Sequence, residues 1–200
     1  MKMARSAVLT VLVATLLLLA STISVQASYW SDEVTRVRTY SAQHYMDRTS
    51  KSPNVSALPS GMLVTVLGRG SGDRAPAAND VCEIHYTIHH RYPGIVDSTR
   101  NRPYPVRRSP SQLIPGMAEA MQLMREGDHW FLYVPSELAY GTKGWKERRV
   151  AGLSIVRVDL EVFKCESPHG KTSEEIDAYL APYLKTPMPP KSVLAYDTDM

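Results

Sequence analysis

The stretch that most narrows the fold runs from Leu113 to Gly141, LIPGMAEAMQLMREGDHWFLYVPSELAYG, because its apolar period changes halfway along. Pro115 suits a helix start, since its fixed φ fits the first turn and its missing N–H would be unpaired there anyway. Met117, Met121 and Met124 follow at i, i+4 and i+7 as one apolar stripe, with Glu119 near the positive end of the helix dipole and Arg125 near the negative end. Gly127 is placed to take the left-handed conformation that ends such a helix, predicted over residues 115–126. From Trp130 to Val134 the period becomes two, with Trp130, Leu132 and Val134 on one face and Phe131 and Tyr133 on the other, until Pro135 stops the strand. A helix this short is not stable alone, so its methionines must lie on a sheet, and Tyr140 emerges from the turn beside it.

Other segments supply that sheet. Met62 to Leu67 alternates as a strand, and Gly68 to Asn79 reads as a turn-rich loop. Val81 to His90 places Cys82, Ile84, Tyr86 and Ile88 on one face and Glu83, His85, Thr87 and His89 on the other. His85 and His89 share a face, but no cysteine or carboxylate stands at a ligand-like spacing to complete a metal site. Tyr92-Pro93-Gly94 reads as a turn, and Val96-Asp97-Ser98 returns the chain. Near the end, Val156, Val158, Leu160 and Val162 alternate with Arg157, Asp159 and Glu161 in a long strand.

The flanks read differently. Residues 1–27 join a basic start to an apolar run from Ala7 to Ala20 and end in Val25-Gln26-Ala27, the small-residue arrangement of a cleaved secretory signal. The run is short for a bilayer core of roughly 30 Å, so no stable membrane span is expected after cleavage. Residues 28–57 read as a helix, capped by Ser31, followed by a linker with Pro53. Residues 167–200 read as an appendage in which Thr172 and Glu175 have capping-box spacing for a helix reaching Pro182, followed by a tail with Pro187, Pro189 and Pro190. Without Lys2 and Arg5 the chain has twenty-one basic against twenty acidic residues, so no global field points to nucleic acid. Arg100, Arg102, Arg107 and Arg108, interleaved with Pro103, Tyr104 and Pro105, read as a solvated rim, and Lys143, Lys146, Arg148 and Arg149 form a second basic loop around Trp145.

The central stretch resembles the helix and following strand of the FKBP-type peptidyl-prolyl cis/trans isomerases, particularly the macrophage-infectivity-potentiator-like subgroup with its VIPGW-x-EALQLM-x-x-GD-x-W-x-LYIPSELAYG pattern. The likeness continues through LPSGM (residues 58–62), IHYT (84–87), VDS (96–98) and VDLEVFK (158–164), about half the chain. It implies an α+β domain over residues 58–166, an antiparallel sheet of about five strands wrapped around one short helix, with helical extensions before and after it. It also implies a function: isomerisation of X-Pro amides in proline-containing peptides or proteins, without a cofactor. The implied catalytic positions are Tyr86, Asp97, Ile114 and Tyr140, where Tyr140 and the Ile114 N–H donate to the substrate and Asp97 orients the wall. The implied substrate-binding positions are Val96, Tyr104, Leu113, Met117, Val150 and Val158.

The sequence departs from that pattern at the pocket. Met117 stands where the family usually has a tryptophan floor, Val96 and Val158 where it usually has phenylalanines, and Ile88 where a glycine usually follows YT. The flap has Arg148, Arg149, Val150, Ala151 and Gly152 in place of the usual G-x-IPP run. A wider, softer pocket predicts weakened activity and weak binding of the family's macrocyclic inhibitors. Two functions therefore stay open, a secreted isomerase favoured by the motif string and a non-catalytic FKBP-like binding or chaperone module favoured by the lost aromatics. If Arg100, Arg102, Lys146 and Arg148 edge the pocket, acidic peptides should be preferred. The resemblance also makes the strands of Cys82 and Cys165 neighbours. Side-chain parity sets the two cysteines on opposite faces, however, so only a bulge would allow them to bond.

Overall fold

A computed structural model describes residues 2–90 and 94–185, which leaves the Tyr92-Pro93-Gly94 turn only partly, and the Pro187–Pro190 tail wholly, outside the described residues. The first helix, α1, runs without interruption from Lys2 to Ser50. Ser31 does not cap a separate helix: its hydroxyl donates to the Ser28 carbonyl from within α1, at 2.7 Å. The cause is plain in the sequence, because residues 2–50 contain neither glycine nor proline and nothing breaks the ladder before Pro53. Among the described residues, those up to Ser41 form one compact unit and those from Ala42 onward another. In the first unit Ile23, Trp30, Val34 and Val37 are exposed. Among the described residues no helix is long and apolar enough to cross a membrane.

The second unit is built on an antiparallel sheet of seven strands: β1 (Ser56–Ala57), β2 (Leu63–Gly68), β3 (Cys82–His89), β4 (Ile95–Ser98), β5 (Val106–Arg108), β6 (His129–Val134) and β7 (Val156–Cys165). Their order is β1-β2-β6-β7-β3-β4, and β5 also pairs with β3. The two strands beyond the expected five are β1 and β5, of two and three residues, too short to give a periodic signal. Both β4 and β5 lie along β3, β4 against residues 87–89 and β5 against residues 82–84. The loop between them therefore turns over the middle of β3.

Helix α2 (Pro115–Met121) packs on this sheet. Met117, Met121 and Met124 are all but fully buried, among Trp130, Leu132, Val134, Leu160 and Val162. Each such side chain contributes about 1.5–3 kcal/mol, so the stripe fixes the helix to the sheet. The helix is shorter than residues 115–126: after Met121 the chain goes on in turns, closed by Leu123 N–H to Ala120 O and Met124 N–H to Met121 O. Arg125 is drawn inward beside the buried Asp128 and 3.5 Å from Asp177, an acid that no local helix rule would have paired with it. Gly127 takes the left-handed conformation, with φ of 86°.

Parity fails where β3 meets β7. Cys82 faces Cys165 and Glu83 faces Lys164, but Ile84 faces Val162, so Phe163 is an extra residue. That bulge moves Cys165 to the face opposite the one that strict alternation gives it. The cysteines, 4.0 Å apart at Cα, are joined as a disulfide. The last helix, α3 (Ser173–Leu180), starts at a Thr172/Glu175 capping box and buries Ile176 and Leu180 in the same core as α2.

Candidate functional site

Four segments converge on one cavity of about 440 Å³, lined by Tyr86 and Ile88 of β3, Asp97 of β4, Gln112 to Ile114, Met117 of α2, and Ala139, Tyr140, Gly144 and Trp145. Tyr86 and Asp97 meet because β3 and β4 pair at this end. The Tyr86 hydroxyl donates to an Asp97 carboxylate oxygen at 2.9 Å. Burial raises the Tyr86 pKa, and the hydrogen bond to Asp97 raises it further. Thr99 holds this corner, donating its N–H to the Tyr86 carbonyl and accepting the Tyr86 N–H on its hydroxyl, both at 2.9 Å.

Leu113 and Ile114 reach the cavity because a 3-10 turn (Pro110–Gln112) hands the chain straight to Pro115. Ile114 is extended at φ −62° and ψ 150°, so its N–H precedes the helical ladder of α2. Met117, 1% exposed, sits one turn further on and closes the base. Tyr140 stands over it, half-buried, and its pKa is pushed up to about 12, first by burial and then by the charge of Asp97. Among the described residues no hydrogen bond engages the Tyr140 hydroxyl. The wall thus offers a neutral phenol donor above apolar surface.

The last wall comes from a tight loop that alternation could not foresee. Trp145 and Val150 exchange two backbone hydrogen bonds of 2.9 Å around a 3-10 turn (Lys146–Arg148), and Gly144 N–H donates to the Tyr140 carbonyl at 3.0 Å. Gly144 has φ of 68°, and a Cβ there would lie 2.2 Å from the Val150 carbonyl oxygen. The loop holds the Trp145 ring 5.3 Å from that of Tyr140, tilted by 34°. The Arg148 guanidinium lies 5.5 Å from the Trp145 ring centroid and 4.0 Å from the Asp97 carboxylate.

Of the ten positions expected from the sequence, Tyr86, Asp97, Leu113, Ile114, Met117 and Tyr140 line this cavity. Val96, Val150 and Val158 are buried in the core instead of lining it. Val158 lies directly opposite Ile88 across β3 and β7, and of the two Ile88 lines the cavity. Tyr104 is 78% exposed, on the loop between β4 and β5, and contributes nothing to the lining. Arg100 does not edge the pocket either: it pairs with Asp159 at 2.6 Å and Glu161 at 3.0 Å, carboxylates that alternation sets on the face of β7 away from α2. Ile88, Gln112, Ala139, Gly144 and Trp145 also line the cavity without being expected as site residues, and the only sequence signal of Trp145 is an aromatic ring among four basic residues.

Known proteins are similar to this chain in sequence and in fold. The sequence model of FKBP-type peptidyl-prolyl cis-trans isomerases matches residues 72–163. A macrophage infectivity potentiator of Trypanosoma cruzi is 37% identical over 160 residues, covering 80% of this chain and 81% of that protein. An FKBP-type 22 kDa peptidyl-prolyl cis-trans isomerase of Escherichia coli is 34% identical over 61% of this chain and 56% of its own length. An outer membrane protein MIP of Legionella longbeachae is 33% identical over 50% of this chain, which spans 42% of it. In structure, a peptidyl-prolyl cis-trans isomerase of Pseudomonas syringae superposes with a TM-score of 0.61 at 26% identity, over 66% of this chain and 96% of that one.

Proposed function

We propose that this chain, which belongs to the FKBP-type peptidyl-prolyl cis-trans isomerases of the macrophage-infectivity-potentiator-like subgroup, catalyses rotation of X-Pro amides in the cavity between Tyr86, Met117, Tyr140 and Trp145. The observation that carries this reading is the meeting of Tyr86, Asp97, Leu113, Ile114, Met117 and Tyr140, from separate segments, around one space. The barrier to be lowered is about 18–20 kcal/mol and arises from amide resonance. A planar amide has more charge separation than a twisted one and needs more solvation. An apolar base of Met117, Leu113 and Ile88 therefore favours the twisted form, while the Tyr140 hydroxyl and the Ile114 N–H hold carbonyls of the peptide. Asp97 fixes the Tyr86 wall by accepting its hydroxyl proton in a hydrogen bond. No nucleophile or cofactor enters this scheme.

Turnover is expected to be weak for the family. Methionine at the base has three rotatable bonds where a tryptophan would be rigid, so the prolyl ring is less tightly held. A tenfold loss of rate needs only about 1.4 kcal/mol, and this softer base accounts for one or two such factors. Macrocyclic inhibitors that rest on the base should bind weakly for the same reason. The leader-like residues 1–27, the Cys82–Cys165 disulfide and a relative named as an outer membrane protein all favour action in an oxidising compartment beyond the cytosol.

A protease-free isomerisation assay on a proline peptide, with native protein and Met117→Trp, tests the reading. Slow catalysis by the native chain that rises in Met117→Trp is expected. If neither protein turns over a peptide that both bind, the pocket is a peptide-binding module instead.

A further inference from the structure

The loop that carries Trp145 adds more than an aromatic wall. Between residues 143 and 149 it holds Lys143, Lys146, Arg148 and Arg149 against a single acid, Glu147. All five of these side chains are exposed. Arg148 is the one placed by contacts: its guanidinium lies over the Trp145 ring and 4.0 Å from Asp97, the sole carboxylate among the described residues that line the cavity. The positive charge of Arg148 also acts on the Tyr140 phenol. Asp97 is already engaged by the Tyr86 hydroxyl. An incoming peptide therefore meets a cation on the Trp145 side and an acid that is hydrogen-bonded within the wall.

We infer that Trp145 and Arg148 form a specificity-determining lip that favours substrates with Asp or Glu flanking the proline. The inference rests on the isomerase reading above. A guanidinium lying over an indole face is already held in place, so it loses little rotamer freedom when a second carboxylate arrives. Lysine at the same peptide position would face Arg148 and Lys146 as like charges. The pair forms at an exposed rim, so its effect is modest, about two- to fivefold in rate, and it is screened as salt shortens the Debye length to ~3 Å at ~1 M.

The test uses the full chain and peptides identical except for Glu, Gln or Lys immediately before or immediately after the proline, with isomerisation followed by NMR exchange. The Glu peptide is expected to turn over about two- to fivefold faster than the Lys peptide in at least one of the two series at low salt, and the ratio should approach one at high salt. Arg148→Gln should bring the ratio to near one, and Arg148→Lys should restore part of it. Because each variant is read as a ratio between peptides, partial loss of folded protein cancels. Equal rates for Glu and Lys peptides in both series, or a preference unchanged by Arg148→Gln, would overturn the inference while leaving the isomerase reading in place. No turnover of any peptide, the Gln peptide included, would overturn the isomerase reading and this inference with it.

Discussion

At the scale of single residues, the site depends on two phenols held in different ways. Tyr86 donates to Asp97, whereas the Tyr140 hydroxyl, at the cavity, has no hydrogen bond among the described residues. Removing that hydroxyl in Tyr140→Phe costs one hydrogen bond, about 0.5–1.5 kcal/mol, so turnover should fall roughly two- to tenfold with the fold intact by circular dichroism. The pKa of about 12 at Tyr140 has two further consequences. Its donor proton stays bound well above neutrality, so kcat/KM should be level from about pH 7 to pH 9, where ordinary phenols are still protonated. For stability the sign is the reverse of a carboxylate's. The folded state holds this proton more tightly than the unfolded state does, so the contribution is fully present below about pH 10, the ordinary tyrosine value, and is lost as pH rises toward about 12. Thermal unfolding between those limits should therefore steepen with pH more in the native protein than in Tyr140→Phe. Tyr86, Asp97, Ile114 and Tyr140 were legible because each lies in an unbroken run, IHYT, VDS, LIPG or LAYG, that resembles the family. Trp145 lies in no such run. Its place follows from the backbone bonds between Trp145 and Val150, contacts that no periodicity announces.

At the scale of elements, the strands were readable wherever one face is buried and the other wet, as in β6 with its alternating burial. Alternation could not supply the bulge at Phe163, because a single inserted residue leaves the sequence pattern on either side intact and only shifts its phase. Nor could it end α2, since the methionine stripe continues to Met124 through turns that bury the same face as a helix would. The break expected in α1 rested on capping residues that the structure uses as ordinary helix interior. The loop from Gly144 to Val150 makes the sharpest prediction at this scale. Alanine at Gly144 would be strained by its φ of 68° and would meet the Val150 carbonyl oxygen at 2.2 Å. Left-handed backbone alone costs roughly 1–2 kcal/mol for a residue with a side chain. Gly144→Ala should therefore displace Trp145 and raise KM for prolyl peptides, visible as a shift of the Trp145 indole resonance while that of the buried Trp130 stays in place.

For the molecule as a whole, the stabilising bond and the site lie at opposite ends of one strand. Cys82 begins β3 and Ile88 lines the cavity near its other end, about 20 Å away at some 3.3 Å per residue. The Cys82–Cys165 bond spans 83 residues and so restricts the unfolded chain strongly, a contribution of about 2–4 kcal/mol. Cys82→Ser should lower denaturant stability by about that amount while leaving turnover per folded molecule unchanged. Alkylation and intact mass, with and without reductant, should find both thiols blocked only after reduction. The proposed activity is rotation of a prolyl amide in the cavity of Tyr86, Asp97, Ile114, Met117 and Tyr140. It is tested most directly by two-dimensional NMR exchange on a Leu-Pro peptide, recorded with native protein and with Tyr140→Phe. Cis–trans cross-peaks are expected to build up in proportion to native protein and about two- to tenfold more slowly with Tyr140→Phe, in line with one lost hydrogen bond of about 0.5–1.5 kcal/mol. Cross-peaks no stronger than those of the free peptide, or equal rates for the two proteins, would contradict it.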